Sequence, residues 1–273
     1  MERAFINLSI RILISLFIVA LFGGCAWHST NSTKHVTSTV DFLYPDTSAP
    51  IVTPGIPVLT LPLKVGIAFV PGKGGGNYGR GIREFWEADP FTEGRMPHGD
   101  FALTEKRKLA LMQEVTEHFK QYSFVKEIQI IPSDDLIPSG SFANLDRIRA
   151  LYGVNVIALL SYDQVQFTDD GVLSLTYWTI VGAYIIPGTK NDTHTMLDAT
   201  IFDIKSRKLL FRAPGTSHIK GIATPANMSE QARTDSDEGF NEAVKSMITN
   251  LDEQLALFRE KVKEHPTEFK VVE

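Results

Sequence analysis

Cysteine is almost missing from this chain of 273 residues: Cys25 stands alone, so no disulfide can form within the molecule and the fold must hold by packing. Positive charge is not in excess either. Lys and Arg number 27 against 32 Asp and Glu, a net charge of −5, a mildly acidic balance that argues against nucleic acid as a partner, because phosphate binding needs clustered Lys and Arg. After the first 25 residues no run of 18 apolar residues recurs, so no later helix is expected to cross a bilayer. The seven histidines, His28, His35, His98, His118, His194, His218 and His265, are scattered and never fall three or four apart. No metal and no cofactor are therefore expected. A Gly-x-Ser-x-Gly elbow is absent as well, and Ser161, Asp163 and His218, which could be named as a triad, read more simply as strand residues.

What the chain does have comes first. Arg3 and Arg11 precede the apolar run from Ile12 to Phe22, which closes on Gly23-Gly24-Cys25. The run is long enough to engage an export machinery and too short to span a bilayer comfortably, so it reads as a secretory signal cleaved between Gly24 and Cys25. The alternatives are an ordinary secreted protein with a chance cysteine, or an uncleaved anchor. Loss of residues 1–24 removes Glu2, Arg3 and Arg11 and leaves the remainder one charge more negative. With 43% apolar and 22% charged residues, that remainder has the composition of a globular domain.

From Ala26 to Thr39 the residues are mostly Ser, Thr, Asn and Lys, and Pro45, Pro50, Pro54, Pro57 and Pro62 follow. Residues 25–62 are expected to be a flexible, proline-rich tether, its later part lying against the domain. A single domain is expected over 63–264, with 265–273 as a tail. Leu63 to Val70 and Ile128 to Ile131 read as strands and Thr104 to Tyr122 as a helix with Leu109, Met112, Val115, Phe119 and Tyr122 inward. Ser141 is expected to cap a short helix ending at Gly153, and Val154 to Leu160 is a strand covered on both faces. Turns at Asp169-Asp170-Gly171, Pro187-Gly188 and Lys205-Ser206-Arg207-Lys208 then divide a run of antiparallel hairpins. On the strand His194 to Ile204, alternation leaves one face partly solvated. A stripe from Phe240 to Val262 makes a final helix opening at Thr234-x-x-Asp237, with a coiled coil as the lesser alternative. The fold class is thus α/β (α+β): a mixed sheet with helices packed on it, β-α-β-α-β followed by antiparallel hairpins and a C-terminal helix.

Two further stretches invite a functional reading. The glycine-rich loop from Gly72 to Gly81 surrounds Lys73, but no Ser or Thr follows that lysine into a helix, so a surface loop is expected instead of a phosphate cradle. Leu173 to Ile186 is apolar and aromatic, with Tyr177, Trp178 and Tyr184. It reads as core, or as a membrane hairpin if several copies built a barrel.

The stretch ending Phe22-Gly23-Gly24-Cys25 resembles the bacterial lipobox, although Leu21 sits one place before the usual leucine position. That resemblance implies a diacylglyceryl group on the Cys25 thiol, cleavage before Cys25, and acylation of the new amine. Ala26 in place of Asp implies sorting to the outer membrane, facing the periplasm. Together with Val40-Asp41-Phe42-Leu43-Tyr44-Pro45, Leu61 to Pro71 and Tyr152-Gly153-Val154, the lipobox is similar to that of the rhombotarget lipoprotein family. Members are named for rhombosortase, which acts on a tail of Gly-Gly, an apolar helix and a basic cluster. This chain reads Glu268 to Glu273 there, so the resemblance does not extend to its being a rhombosortase substrate. A second resemblance, of fold only, is to the curli-secretion pore lipoproteins, through the hairpin Ala199 to Leu210. The expectation is a non-enzymatic outer-membrane lipoprotein that binds an envelope partner, as an accessory protein of a secretion or surface-sorting system. A pore subunit comes next, and a hydrolase after that.

Overall fold

The computed structural model describes residues 30–46, 54–72, 103–170, 189–223 and 227–272. Cys25 and Gly24, the loop from Lys73 to Gly81 and the stretch Leu173 to Ile186 lie outside them. The fold is a mixed α/β sandwich. Its strands are β1 (Thr30–Val36), β2 (Val58–Thr60), β3 (Leu63–Phe69), β4 (Val125–Ile130), β5 (Val156–Asp170), β6 (Thr189–Asp203), β7 (Lys208–Ala223) and β8 (Lys270–Val272). Its helices are α1 (Thr39–Leu43), α2 (Glu105–Phe119), α3 (Ser141–Tyr152) and α4 (Met228–Glu264).

The main sheet runs β4-β3-β5-β6-β7. Strand β5 organises it, because its two halves have different neighbours on one side. Val156 to Leu160 pair in parallel with β3, whereas Asp163 to Asp169 pair antiparallel with β1. On its other side β5 pairs with β6 along its whole length, from Val156 with Asp203 to Asp170 with Thr189. Strand β7 is the outer strand among the described residues, and Pro214 within it suits that place, since proline has no amide to give to a further strand.

Side-chain alternation sends the two faces into two cores. Ile67, Phe69, Leu160, Leu197 and Ala199 point toward α2 and α4, where they meet Leu111, Met112, Phe240, Val244 and Met247. Ala68, Val70, Ile157, Leu159 and Phe202 point the other way, toward α1 and α3, and meet Phe42, Leu43, Phe142, Leu145 and Ile148. The central run of β5 is therefore covered twice, as its unbroken apolar sequence requires. Gly153 ends α3 at φ 67°, the left-handed conformation that favours glycine.

The tether expected over 25–62 is corrected. Residues 30–36 are strand β1, and Thr37, just past it, both donates its amide to the Tyr162 carbonyl and accepts the Tyr162 amide at its Oγ1, each at 2.8 Å. An edge position asks only for main-chain pairing, so a Ser/Thr-rich sequence can fill it without apolar residues. Ser38 then caps α1, and Phe42 and Leu43 are buried. The tail at 265–273 is corrected too: β8 pairs in parallel with β2, and Phe269 is buried against Phe258. Helix α4 begins at Met228, ahead of the expected capping box, with no side-chain cap at Asn227. Gly140, not Ser141, is the N-cap of α3, and Leu109 is exposed although it lies on the expected stripe of α2.

Candidate functional site

Among the described residues, the distal half of the sheet, beyond Thr200 on β6, is covered on one face only. The register sets His194 opposite His218 and Asp192 opposite Lys220. With a period of two, Asp192, His194 and Met196 on β6 share a face with Thr216, His218 and Lys220 on β7. Toward the base the same face is closed by α1 and α3, where Thr200 donates to Thr39 and Phe202 meets the edge of Phe142. Met196 and both histidines stand exposed, in line with the partly solvated face expected from the alternation.

On this face the two imidazoles stack, with ring centroids 4.1 Å apart and planes 15° from parallel. Both Nε2 atoms turn to one carboxylate oxygen: Asp192 Oδ1 lies 3.3 Å from His194 Nε2 and is hydrogen-bonded to His218 Nε2. The three potential donor atoms lie within 4.8 Å of one another. The side chains are half exposed, 51% for His194 and 41% for His218. Two imidazoles and a carboxylate at that spacing can share protons or hold a cation.

Beside His218 a shallow groove of about 430 Å³ runs between β7 and α4, lined by Thr216, His218, Glu242, Lys245 and Thr249. Lys245 donates to Glu242 at 2.8 Å, and this bond raises the pKa of the lysine. Nearer the base, Arg212 Nε donates to the buried carboxylate of Asp198 at 2.7 Å, which holds the guanidinium pKa above its usual value.

The opposite, helix-facing side is polar and closed. Gln164 Nε2 donates to Thr195 Oγ1 at 2.8 Å and to the Ser236 carbonyl at 3.2 Å, while its Oε1 accepts from Ser236 at 2.6 Å. Gln166 bonds Thr193 and the Ala232 carbonyl in the same way, at 3.2 and 2.8 Å. These bonds join β5, β6 and the first turns of α4 in one seam.

Ser161, Asp163 and His218 do not form a triad. Ser161 pairs with Asp198, which pairs with Pro214, and His218 lies four residues further along β7, about 13 Å up the sheet. The groove beside His218 contains no part of Ser161. Sequence spacing missed the cluster at Asp192, His194 and His218, since its members meet only through cross-strand pairing. His194 and Asp192, two apart on one strand, were the available sign.

No model of a known protein family matches the chain, and no curated protein matches it. Among solved structures it is similar to a neuraminyllactose-binding hemagglutinin homolog from Helicobacter pylori, at 8% identity and a TM-score of 0.38, covering 80% of this chain and 96% of that one. A likeness that distant assigns no function.

Proposed function

We propose that this chain is a lipid-anchored envelope protein of the outer membrane, related to the rhombotarget lipoproteins, which works by binding a partner and not by catalysis. The observation that supports it most is the place of β1. Thr30 pairs with Asp169 at the distal end of β5, and only five residue steps separate Thr30 from Cys25, a reach of at most about 18 Å. In this reading an acylated Cys25 draws the distal end of the sheet toward the bilayer. The open face with His194 and His218 then lies close to the membrane, where an envelope component can reach it. Two or three acyl chains, at about 0.8 kcal/mol per buried methylene, hold such a body firmly. Replacing Cys25 by Ala and fractionating cells tests this: the variant is expected in the soluble fraction, and continued sedimentation with membranes would defeat the anchoring reading.

A second reading, a subunit of an oligomeric pore, is favoured by the same register. Strands β5 and β6 keep pairing as far as Asp170 and Thr189, and the sequence between them includes the apolar stretch Leu173 to Ile186. Trp178 reports on it. In a chain with Trp27 and Trp86 replaced by Phe, brominated lipids should quench Trp178 fluorescence if this stretch enters the bilayer, and unquenched emission would rule that out.

A further inference from the structure

We propose that Asp192, His194 and His218 form a binding site for a divalent transition-metal ion of the zinc class. The donor set points to that class. Two imidazoles and one carboxylate suit zinc, copper(II) or nickel, while magnesium and calcium call for oxygen ligands throughout. The spacing agrees. In a tetrahedral site with bonds of about 2.0–2.1 Å, two ligand atoms stand roughly 3.3–3.4 Å apart. His194 Nε2 and Asp192 Oδ1 are 3.3 Å apart, and all three donors fall within 4.8 Å.

The convergence is what a simple hydrogen bond leaves unexplained. One histidine would be enough to satisfy Asp192, yet both Nε2 atoms are aimed at the same oxygen from stacked rings. The scaffold behind them is rigid. His194 and His218 are direct partners in an antiparallel ladder, Asp192 is the diagonal neighbour, and the alternate residues Thr193 and Thr195 are fully buried under α4. Sites built on paired strands hold their geometry better than sites on loops. Half exposure of the three side chains leaves one side of the ion open to water or to a donor from a partner. Lys220, opposite Asp192, is exposed and can carry its charge away into solvent.

Zinc chloride titrated calorimetrically into the full-length chain in detergent tests the proposal, on a Cys25→Ala background so that no thiol contributes. One ion per chain is expected. His194→Gln and His218→Gln should each weaken zinc binding by at least about tenfold while leaving the thermal melting of the metal-free chain unchanged. His265→Gln, exposed after the end of α4, should bind zinc as the parent does. Cobalt(II) gives a second readout: the visible bands of a tetrahedral ion should appear in the parent and vanish in either variant. Absence of zinc binding in the parent overturns the site. So does binding that both glutamine substitutions leave intact, which would place the ion elsewhere on the chain.

Discussion

Helix α4 runs along β7 and β6 from the distal end of the sheet to its base and meets two different surfaces. Its last turns and its middle pack apolar against apolar: Phe240 on Tyr162, Met247 over β7, and Phe258 on Phe211 and Phe269. Its first turns lie on glutamines and threonines, where Gln164 donates to the Ser236 carbonyl and accepts from the Ser236 hydroxyl, Gln166 donates to the Ala232 carbonyl, and both glutamines also donate to Thr195 and Thr193 of β6. Burying large side chains contributes roughly 1.5–3 kcal/mol each and fixes no particular register. Buried hydrogen bonds contribute little net energy, but a slip of the helix would leave those to Ser236 and the Ala232 carbonyl unmade. The base of the sheet thus supplies stability, and the distal end supplies alignment. That division leaves the distal end free to carry polar chemistry on its other face.

The sharpest way to break this comparison is at Phe240, only 1% exposed and edge-on to Tyr162. Phe240→Ala should cost about 3–5 kcal/mol in urea unfolding. If a distal substitution such as Gln166→Ala cost as much, the division of labour would fail. Next comes Gly215, where helix and strand touch. A Cβ there would run into the Ala243 carbonyl and the Met247 amide, and would lie 2.6 Å from Met247 Cβ. Backbone on both sides cannot yield, so Gly215→Ala should cost about 1–3 kcal/mol, read from the shift in denaturation midpoint.

Much of the base was legible from patterning. Leu63 to Phe69, Val156 to Leu160 and Gly153 are found where their apolar runs and turn chemistry put them, because burial on both faces leaves a continuous signal. Polar segments that earn their place through main-chain bonds gave no such signal, which is why β1 and β8 read as tether and tail. The candidate site was hidden by a single residue. Asp203 pairs with Lys208, and an unbroken ladder from that hairpin would set His194 opposite Ser217, on the helix side. The register shift between Ile201 and Phe202 moves the partner by one, so that His194 faces His218. A bulge of this kind flips every side chain beyond it, and nothing in the apolar pattern announces it.

The seam can be sharpened by a double-mutant cycle. Gln164→Ala takes the amide away from the buried Ser236 and Thr195 hydroxyls and should cost about 1–3 kcal/mol. Ser236→Ala should cost less, since it removes one donor from an amide with other partners. If the two residues act through their mutual bond, the double variant should be more stable than the sum of the single losses, by about 0.5 kcal/mol or more. Strict additivity in urea unfolding would mean that the seam is only filler.

The smallest effect lies at the apolar end, where α4 has a polar rim contact of its own. Tyr122, just beyond α2, donates its hydroxyl to Asp252 Oδ1 at 2.7 Å, and His118 Nε2 sits 2.9 Å from the other carboxylate oxygen. The bond to Asp252, more than burial or charge, raises the tyrosine pKa above its ordinary value. A folded pKa above the unfolded one gives stabilisation that is complete below about pH 10 and is lost as pH rises through the folded value. There the phenolate would face the carboxylate it had bonded. Tyr122→Phe should therefore cost only about 0.5 kcal/mol near neutrality, because the contact is solvent-screened. The gap between the parent and this variant should shrink in melts taken at increasingly alkaline pH. No gap even near neutrality would show that the ring's packing, which both chains share, and not the hydroxyl holds α2 to α4.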